Sequence, residues 1–188
     1  MEKLENNADQ SDANKSNSER RYDMTIKLNS YSLPEDVVEK MRLKIEETRQ
    51  KKIELGFGLC RMKYVNTLKS GSECSGNECS VLPIQECQTG TYVGGYHTHP
   101  SGTAEPSIAD LRNAYINDVE CVGSVKEDAI RCFIRNGNKK PQDEKGIISI
   151  VKEIEEPLPT ILNEEQHKIW KSARDEILNK HFQTVDIR

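Results

Sequence analysis

No apolar run in this 188-residue chain approaches the ~20 residues a membrane-spanning helix needs. No short apolar stretch follows a basic start either, so no secretory leader is read from it. A basic excess is also missing. The 27 Lys and Arg residues face 31 Asp and Glu, spread along the chain, for a net charge of −4. Polyanion binders carry a basic stripe or excess, so neither nucleic acid nor a membrane surface is an expected partner. Apolar side chains are scarce. Hydrophobic residues make up 35%, and even with the 11 glycines added the total falls short of the ~45–50% of an ordinary domain. There is no internal repeat. These absences predict a soluble, cytoplasmic, single-domain protein. In that setting Cys60, Cys74, Cys79, Cys87, Cys121 and Cys132 are read as mostly reduced thiols.

Part of the apolar deficit is local. Residues 1–21 offer only Met1, Leu4, Ala8 and Ala13 among Asn, Ser and charged residues. Such a segment cannot bury enough surface to offset its ordering entropy, which predicts a disordered polar tail. Residues 22–182 are expected to form the domain, including a C-terminal helix, and 183–188 a C-terminal tail.

Within the domain, Tyr22 to Leu28 alternates strictly and predicts a half-buried strand. Ser32-Leu-Pro-Glu35 reads as a helix start, with Val38, Met41 and Ile45 continuing at helical spacing to about Gln50. Ile53 to Val65 predicts a strand with close backbone approach at Gly56 and Gly58. Lys69 to Ser80 reads as a polar loop, then Val81–Cys87 and Thr91–His97 as neighbouring strands. A short helix is expected from Ser107 to about Asn117. A hairpin follows, from Cys121–Val125 and Ala129–Ile134. Asn136–Lys145 is a turn-rich linker and Gly146–Val151 a short buried strand. Leu162, Ile169, Trp170, Ala173, Ile177 and Leu178 mark the C-terminal helix, with His167 and His181 on its surface. Interleaved helices and strands predict an α/β (α+β) fold with a mixed central β-sheet flanked by helices.

One segment carries chemistry: Gly95-Tyr-His97-Thr-His99-Pro-Ser-Gly-Thr-Ala-Glu-Pro-Ser107-Ile-Ala-Asp110. Residues i and i+2 of a strand share a face, so His97 and His99 converge, and Pro100 then stops the ladder. Ser107 opens a helix whose first turn holds Asp110, able to face back toward the strand end. Two imidazole nitrogens, one carboxylate oxygen and an open fourth position describe a catalytic zinc site rather than a closed structural one. Ser107 to Asp110 also fits a capping box, and a lone His-x-His pair is common on exposed strands. The combination is the more specific signal.

The segment resembles the signature of the JAMM (MPN+) metalloprotease family, Glu…His-x-His-Pro-x6-Ser-x-x-Asp. His97, His99, Pro100, Ser107 and Asp110 stand at its fixed positions, and Ser101 to Pro106 has its six-residue gap. The order of elements from Tyr22 to about Val151 also looks like the family core, whose fold is similar to that of cytidine deaminases. The resemblance implies one catalytic Zn2+ held by His97, His99 and Asp110. It implies a Ser107 hydroxyl that donates to the oxyanion of the tetrahedral intermediate, and an upstream glutamate as general base. By its place at the start of the strand after the first helix, that glutamate is Glu54; Glu46, Glu47 and Glu86 are the other candidates. The implied activity is zinc-dependent hydrolysis of (iso)peptide bonds in ubiquitin-like modifier conjugates, or processing of a ubiquitin-like tail. A non-catalytic MPN-fold scaffold is the alternative. A zinc nucleoside deaminase would need His-x-Glu and Pro-Cys-x-x-Cys, and the sequence has neither.

Two cysteine arrangements stay open. Cys60, Cys74, Cys79 and Cys87 could form a second zinc site, without the usual paired knuckles. Cys121 and Cys132 sit equidistant from the predicted turn and could face each other across a hairpin, as apolar fillers or as a disulfide.

Overall fold

The computed structural model describes residues 24–80, 87–137 and 164–188. The expected strand over Gly146–Val151, Val81–Glu86 of another, most of the 136–145 linker, and the 1–21 tail lie outside them. Ile26–Leu28 (β1) and Tyr31–Leu33 (β2) form a small antiparallel hairpin through Asn29, at φ 54°. Asparagine tolerates that left-handed turn conformation better than most residues. Helix α1, Glu35–Lys51, follows Pro34 directly. Glu35 and Asp36 in its first turn and Arg49 and Lys51 in its last oppose the helix dipole. The Ser32-x-x-Glu35 start is not used as a cap. Ser32 belongs to β2, where its hydroxyl accepts from Lys27 Nζ at 2.8 Å, and α1 has no side-chain cap.

The remaining strands are β3 (Leu55–Arg61), β4 (Leu68–Ser75), β5 (Thr91–His99), β6 (Val119–Ser124), β7 (Ala129–Arg135) and β8 (Phe182–Ile187). They build one six-stranded sheet in the order β4-β3-β5-β6-β7-β8. Only β5 and β6 pair in parallel, so the sheet is mixed and the fold is α/β as expected. A parallel pair needs a crossover, and α3 (Ile108–Asn117) supplies it. The short α2 (Asn77–Ser80) follows β4, and α4 (Glu164–His181) precedes β8.

Helix α1 covers one face of the sheet. Its Val37, Val38, Met41 and Ile45 pack with Phe57, Leu59, Tyr96, Cys121 and Ile134. A smaller core on the opposite face joins Leu111 and Ala114 of α3 to Val122, Phe133, Phe182 and Leu178 of α4. The placements of Ile169, Trp170, Ala173, Ile177 and His167 lie outside the described side chains.

Three expectations are corrected. The polar loop over Lys69–Ser80 is β4 and α2: an edge strand buries few side chains, here Leu68 and Cys74, so its hydrophobic alternation is weak. The 183–188 tail is the body of β8, paired along β7 and closing the other edge of the sheet. The cysteines are not thiols. Cys60–Cys87, Cys74–Cys79 and Cys121–Cys132 are disulfides, so no four-thiolate zinc site forms. The last pair lies in direct register between β6 and β7, with Cα atoms 4.0 Å apart. Among the described residues no helix is long and apolar enough to cross a membrane.

Two predictions follow from this packing. Alkylation of the unfolded, unreduced protein is expected to leave all six cysteines unmodified; removing Cys60–Cys87, which spans 27 residues, lowers stability by about 3–4 kcal/mol. The second concerns Glu73 on β4, which takes Lys40 and Lys44 of α1 at 2.9 Å each. The Lys44 and Lys40 hydrogen bonds outweigh burial and hold its carboxyl at about 2, below the ordinary 4.5. A depressed carboxylate contributes stability above its ordinary pKa and loses it as pH falls through the lowered one. Glu73 is half exposed, so Glu73→Gln should cost less than ~1 kcal/mol. That difference is complete near pH 6 and vanishes toward pH 2 in denaturant titrations.

Candidate metal centre

The pleat of β5 decides where its histidines point. Tyr96 Oη donates to the Met41 carbonyl at 2.7 Å, and Thr98 Oγ1 meets Thr48 Oγ1 at 2.6 Å, both toward α1. His97 and His99 therefore face the other side of the sheet, under α3. The parallel crossover brings the first turn of α3 back over the end of β5. There Ser107 is the N-cap and Asp110 the third helical residue.

The two Nε2 atoms lie 3.2 Å apart; Asp110 Oδ1 is 3.2 Å from His97 Nε2, and Oδ2 is 3.7 Å from His99 Nε2. The ligand atoms of this group all lie within 4.8 Å of one another. His97 and Asp110 are buried, while His99 is partly open to solvent, which leaves one side of the cluster accessible. Both Nδ1 atoms are engaged elsewhere. His97 Nδ1 meets Glu120 Oε1 at 3.1 Å, and His99 Nδ1 donates to the Thr103 carbonyl at 3.0 Å. With Nδ1 as the N–H side of each ring, each Nε2 carries its lone pair toward Asp110. Two imidazole nitrogens and a carboxylate oxygen then face one buried point, where either a proton on His97 or a metal ion can supply the balancing positive charge. The group can hold one metal ion.

In the protein alone the balancing charge is a proton on His97. Burial alone would lower the His97 pKa, but its hydrogen bonds to Asp110 and Glu120, and their charges, hold it up at about 10. Burial likewise works against the Asp110 carboxylate, yet His97 and Ser107 keep it below its ordinary value. Burial dominates at Glu120 and raises it.

Glu120 is a site residue that sequence reasoning missed. It sits on β6 opposite Gly95, where a side chain would crowd its carboxylate at 3.3 Å. A single acid inside the apolar run Val119-Glu-Cys-Val was its signal, because an acid is almost never fully buried without a partner.

Ser107 and Asp110 form a reciprocal capping box: Ser107 N–H donates to Asp110 Oδ2 at 2.6 Å, and Asp110 N–H to Ser107 Oγ at 3.2 Å. The capping and ligand readings of these residues are thus compatible, since Asp110 Oδ1 remains directed at His97. Glu54 is half-buried, one residue ahead of β3, and is not part of the converging group. Register pairs Gly56 with His97, and Leu55 N–H donates to Thr98 Oγ1 at 2.9 Å. The ladder ends at the Gly56–His97 pair, and Glu54 stands two residues before Gly56 with its carbonyl taking the Gly76 N–H at 2.7 Å. A Cβ at Gly56 would come within 3.1 Å of His97 Cα. Glu46 and Glu47 belong to α1, on the opposite face, and pair with Arg49 and with Lys44 and Lys51. Glu86 lies outside the described residues.

No known protein family and no curated protein matches the chain.

The purified protein is expected to bind one equivalent of Zn2+ or Co2+ in competition with a chromophoric chelator. His97→Ala abolishes that binding. Glu120→Ala weakens it about 10–100-fold, the usual cost of losing an outer-shell partner, with the circular dichroism spectrum retained.

Proposed function

We propose that the protein is a zinc-dependent peptidase or isopeptidase that acts on ubiquitin-like modifier conjugates, or trims a ubiquitin-like tail. The observation that carries this reading is the convergence of His97 Nε2, His99 Nε2 and an Asp110 oxygen, with an accessible side and outer partners on both rings. Two nitrogens and one carboxylate oxygen are a zinc donor set of the catalytic, three-ligand kind. The match of this segment to the JAMM signature supplies the reaction class.

Bound zinc would lower the pKa of a coordinated water from ~16 toward ~7. The chain's own groups divide the remaining work. Glu54 takes the proton of the attacking water and passes it to the leaving amine. Ser107 accepts the Asp110 N–H with a lone pair, which leaves its exposed hydroxyl hydrogen to donate to the developing oxyanion. The buried Glu120 holds the His97 ring in the tautomer that presents Nε2. The substrate this reading implies is an extended Gly-Gly terminus; because β5 is paired on both sides, such a terminus can add as a further strand only at β4 or β8, the edges of the described sheet.

The test is incubation with modifier–lysine conjugates and with linear tail extensions, with and without a chelator, read by mass spectrometry. Cleavage that the chelator stops is expected. Glu54→Gln should lower kcat about 10²–10⁴-fold with zinc still bound, and Ser107→Ala about 10²–10³-fold. Undiminished cleavage by a verified zinc-free protein would refute the mechanism. Stoichiometric zinc with no turnover of any conjugate would point instead to a non-catalytic scaffold.

A further inference from the structure

The metal centre sits at the end of the sheet marked by His99 and Ser124, which pair in register. At the opposite end, a polar cleft of about 290 Å3 opens where the β1–β2 turn meets the ends of β3 and β7. Arg135 lies at its floor, 7% exposed. Arg135 Nη2 donates to one oxygen of Asp118, and Tyr31 Oη donates to the other at 2.9 Å. Both carboxylate oxygens are therefore engaged. Nε and Nη1 of Arg135 are buried and have no hydrogen-bond partner among the described residues.

A buried guanidinium with two unpartnered nitrogens, three N–H groups between them, is costly, and native folds rarely leave one without a reason. The rim adds to the imbalance. Arg61, at the end of β3, is exposed and lines the cleft, and its guanidinium forms no hydrogen bond or ion pair among the described residues. Asn29, Ser30 and Asn66 bring neutral donors to the same wall. Two guanidinium groups face a single carboxylate, itself already engaged, so the cleft carries net positive charge.

We propose that this cleft is a binding site for a tetrahedral oxyanion of the phosphate class, either free or as the terminal phosphate of a small molecule. Arg61 presents a planar fork suited to two phosphate oxygens. The amides and the hydroxyl serve the other oxygens, and the buried charge of Arg135 supplies a field from below that solvent screens poorly. Phosphate fits this concave, many-donor wall better than a planar carboxylate, which offers only two oxygens. The site is independent of the metal centre and of the proposed hydrolysis.

The experiment uses the full chain and two probes, inorganic phosphate and phosphoserine, each against chloride at matched ionic strength. Binding is read from 31P line broadening and from the thermal midpoint. Saturable broadening at millimolar concentration or below is expected, together with a rise in midpoint that chloride does not produce. Phosphate also stabilises proteins generally by exclusion from their surface, so the variants decide. Arg61→Ala and Asn66→Ala should each weaken binding at least about tenfold, whereas Lys63→Ala, outside the cleft, leaves it unchanged. Tighter binding of phosphoserine assigns the site to a phosphorylated small molecule, and equal binding to the free ion. No saturable broadening by either probe, or broadening that survives Arg61→Ala intact, overturns the proposal.

Discussion

Three acceptor atoms cannot share a buried point unless positive charge lies between them, and this sheet forces that situation on His97, His99 and Asp110. At separations near 3.2 Å, in a setting less polar than water, repulsion between lone pairs and a carboxylate is strong and weakly screened. Here each ring is held by a second hydrogen bond, to Glu120 on one side and the Thr103 carbonyl on the other. The cluster is therefore held in an arrangement that can take a metal ion, and much of the surrounding architecture keeps those two outer bonds in place.

The parallel β5–β6 pair is the device that does this. It sets Gly95 beside Glu120, so an acid on one strand reaches under a histidine on the next. It also requires α3 to cross the sheet, which delivers Asp110 from above. The loop between β5 and α3 would otherwise be a weak element, yet it is tied down along its length. Ser124 Oγ donates to the Gly102 carbonyl at 2.9 Å, the Glu127 carboxylate takes the Ala104 N–H at 2.7 Å, and Arg174 of α4 reaches Glu105 and the Pro106 carbonyl. Those contacts fix Thr103 and Ser107 between them, so strands, crossover and C-terminal helix all bear on one tautomer and one N-cap. Groups held in place in this way need no reorganisation when a metal ion binds or charge develops beside them.

Legibility in the sequence followed the range of the interaction. The strand and helix that carry the ligands were readable because period-2 spacing, a proline stop and a Ser-x-x-Asp start are local rules, and His97, His99 and Asp110 obey all of them. Helix α1 was readable from its apolar stripe, although its expected serine cap was not, since Ser32 gained a strand partner and Lys27 instead. Glu120 escaped because its role depends on a neighbour 23 residues away across a parallel ladder. The strands β4 and β8 escaped because they lie at the sheet's edges, where one side of the backbone is unpaired and few side chains are buried. Pattern reading detects burial, so it underestimates the margins of a sheet.

The cysteines show the same limit from another direction. Composition argued for thiols, an argument about surroundings rather than geometry. Geometry depends on the fold: β6–β7 register sets Cys121 against Cys132, and the approach to β5 sets Cys87 against Cys60 on β3. A chain this poor in apolar residues gains from such links, because each restricts the unfolded ensemble without requiring more core. Cys74–Cys79 closes a five-residue span around Gly76, whose N–H donates to the Glu54 carbonyl at 2.7 Å. The backbone that carries the proposed general base is thereby braced from the sheet's edge strand, as the other side of the centre is braced through its loop. Stability and local geometry are joined at that position: the link that restrains the edge of the sheet also restrains the backbone at Glu54.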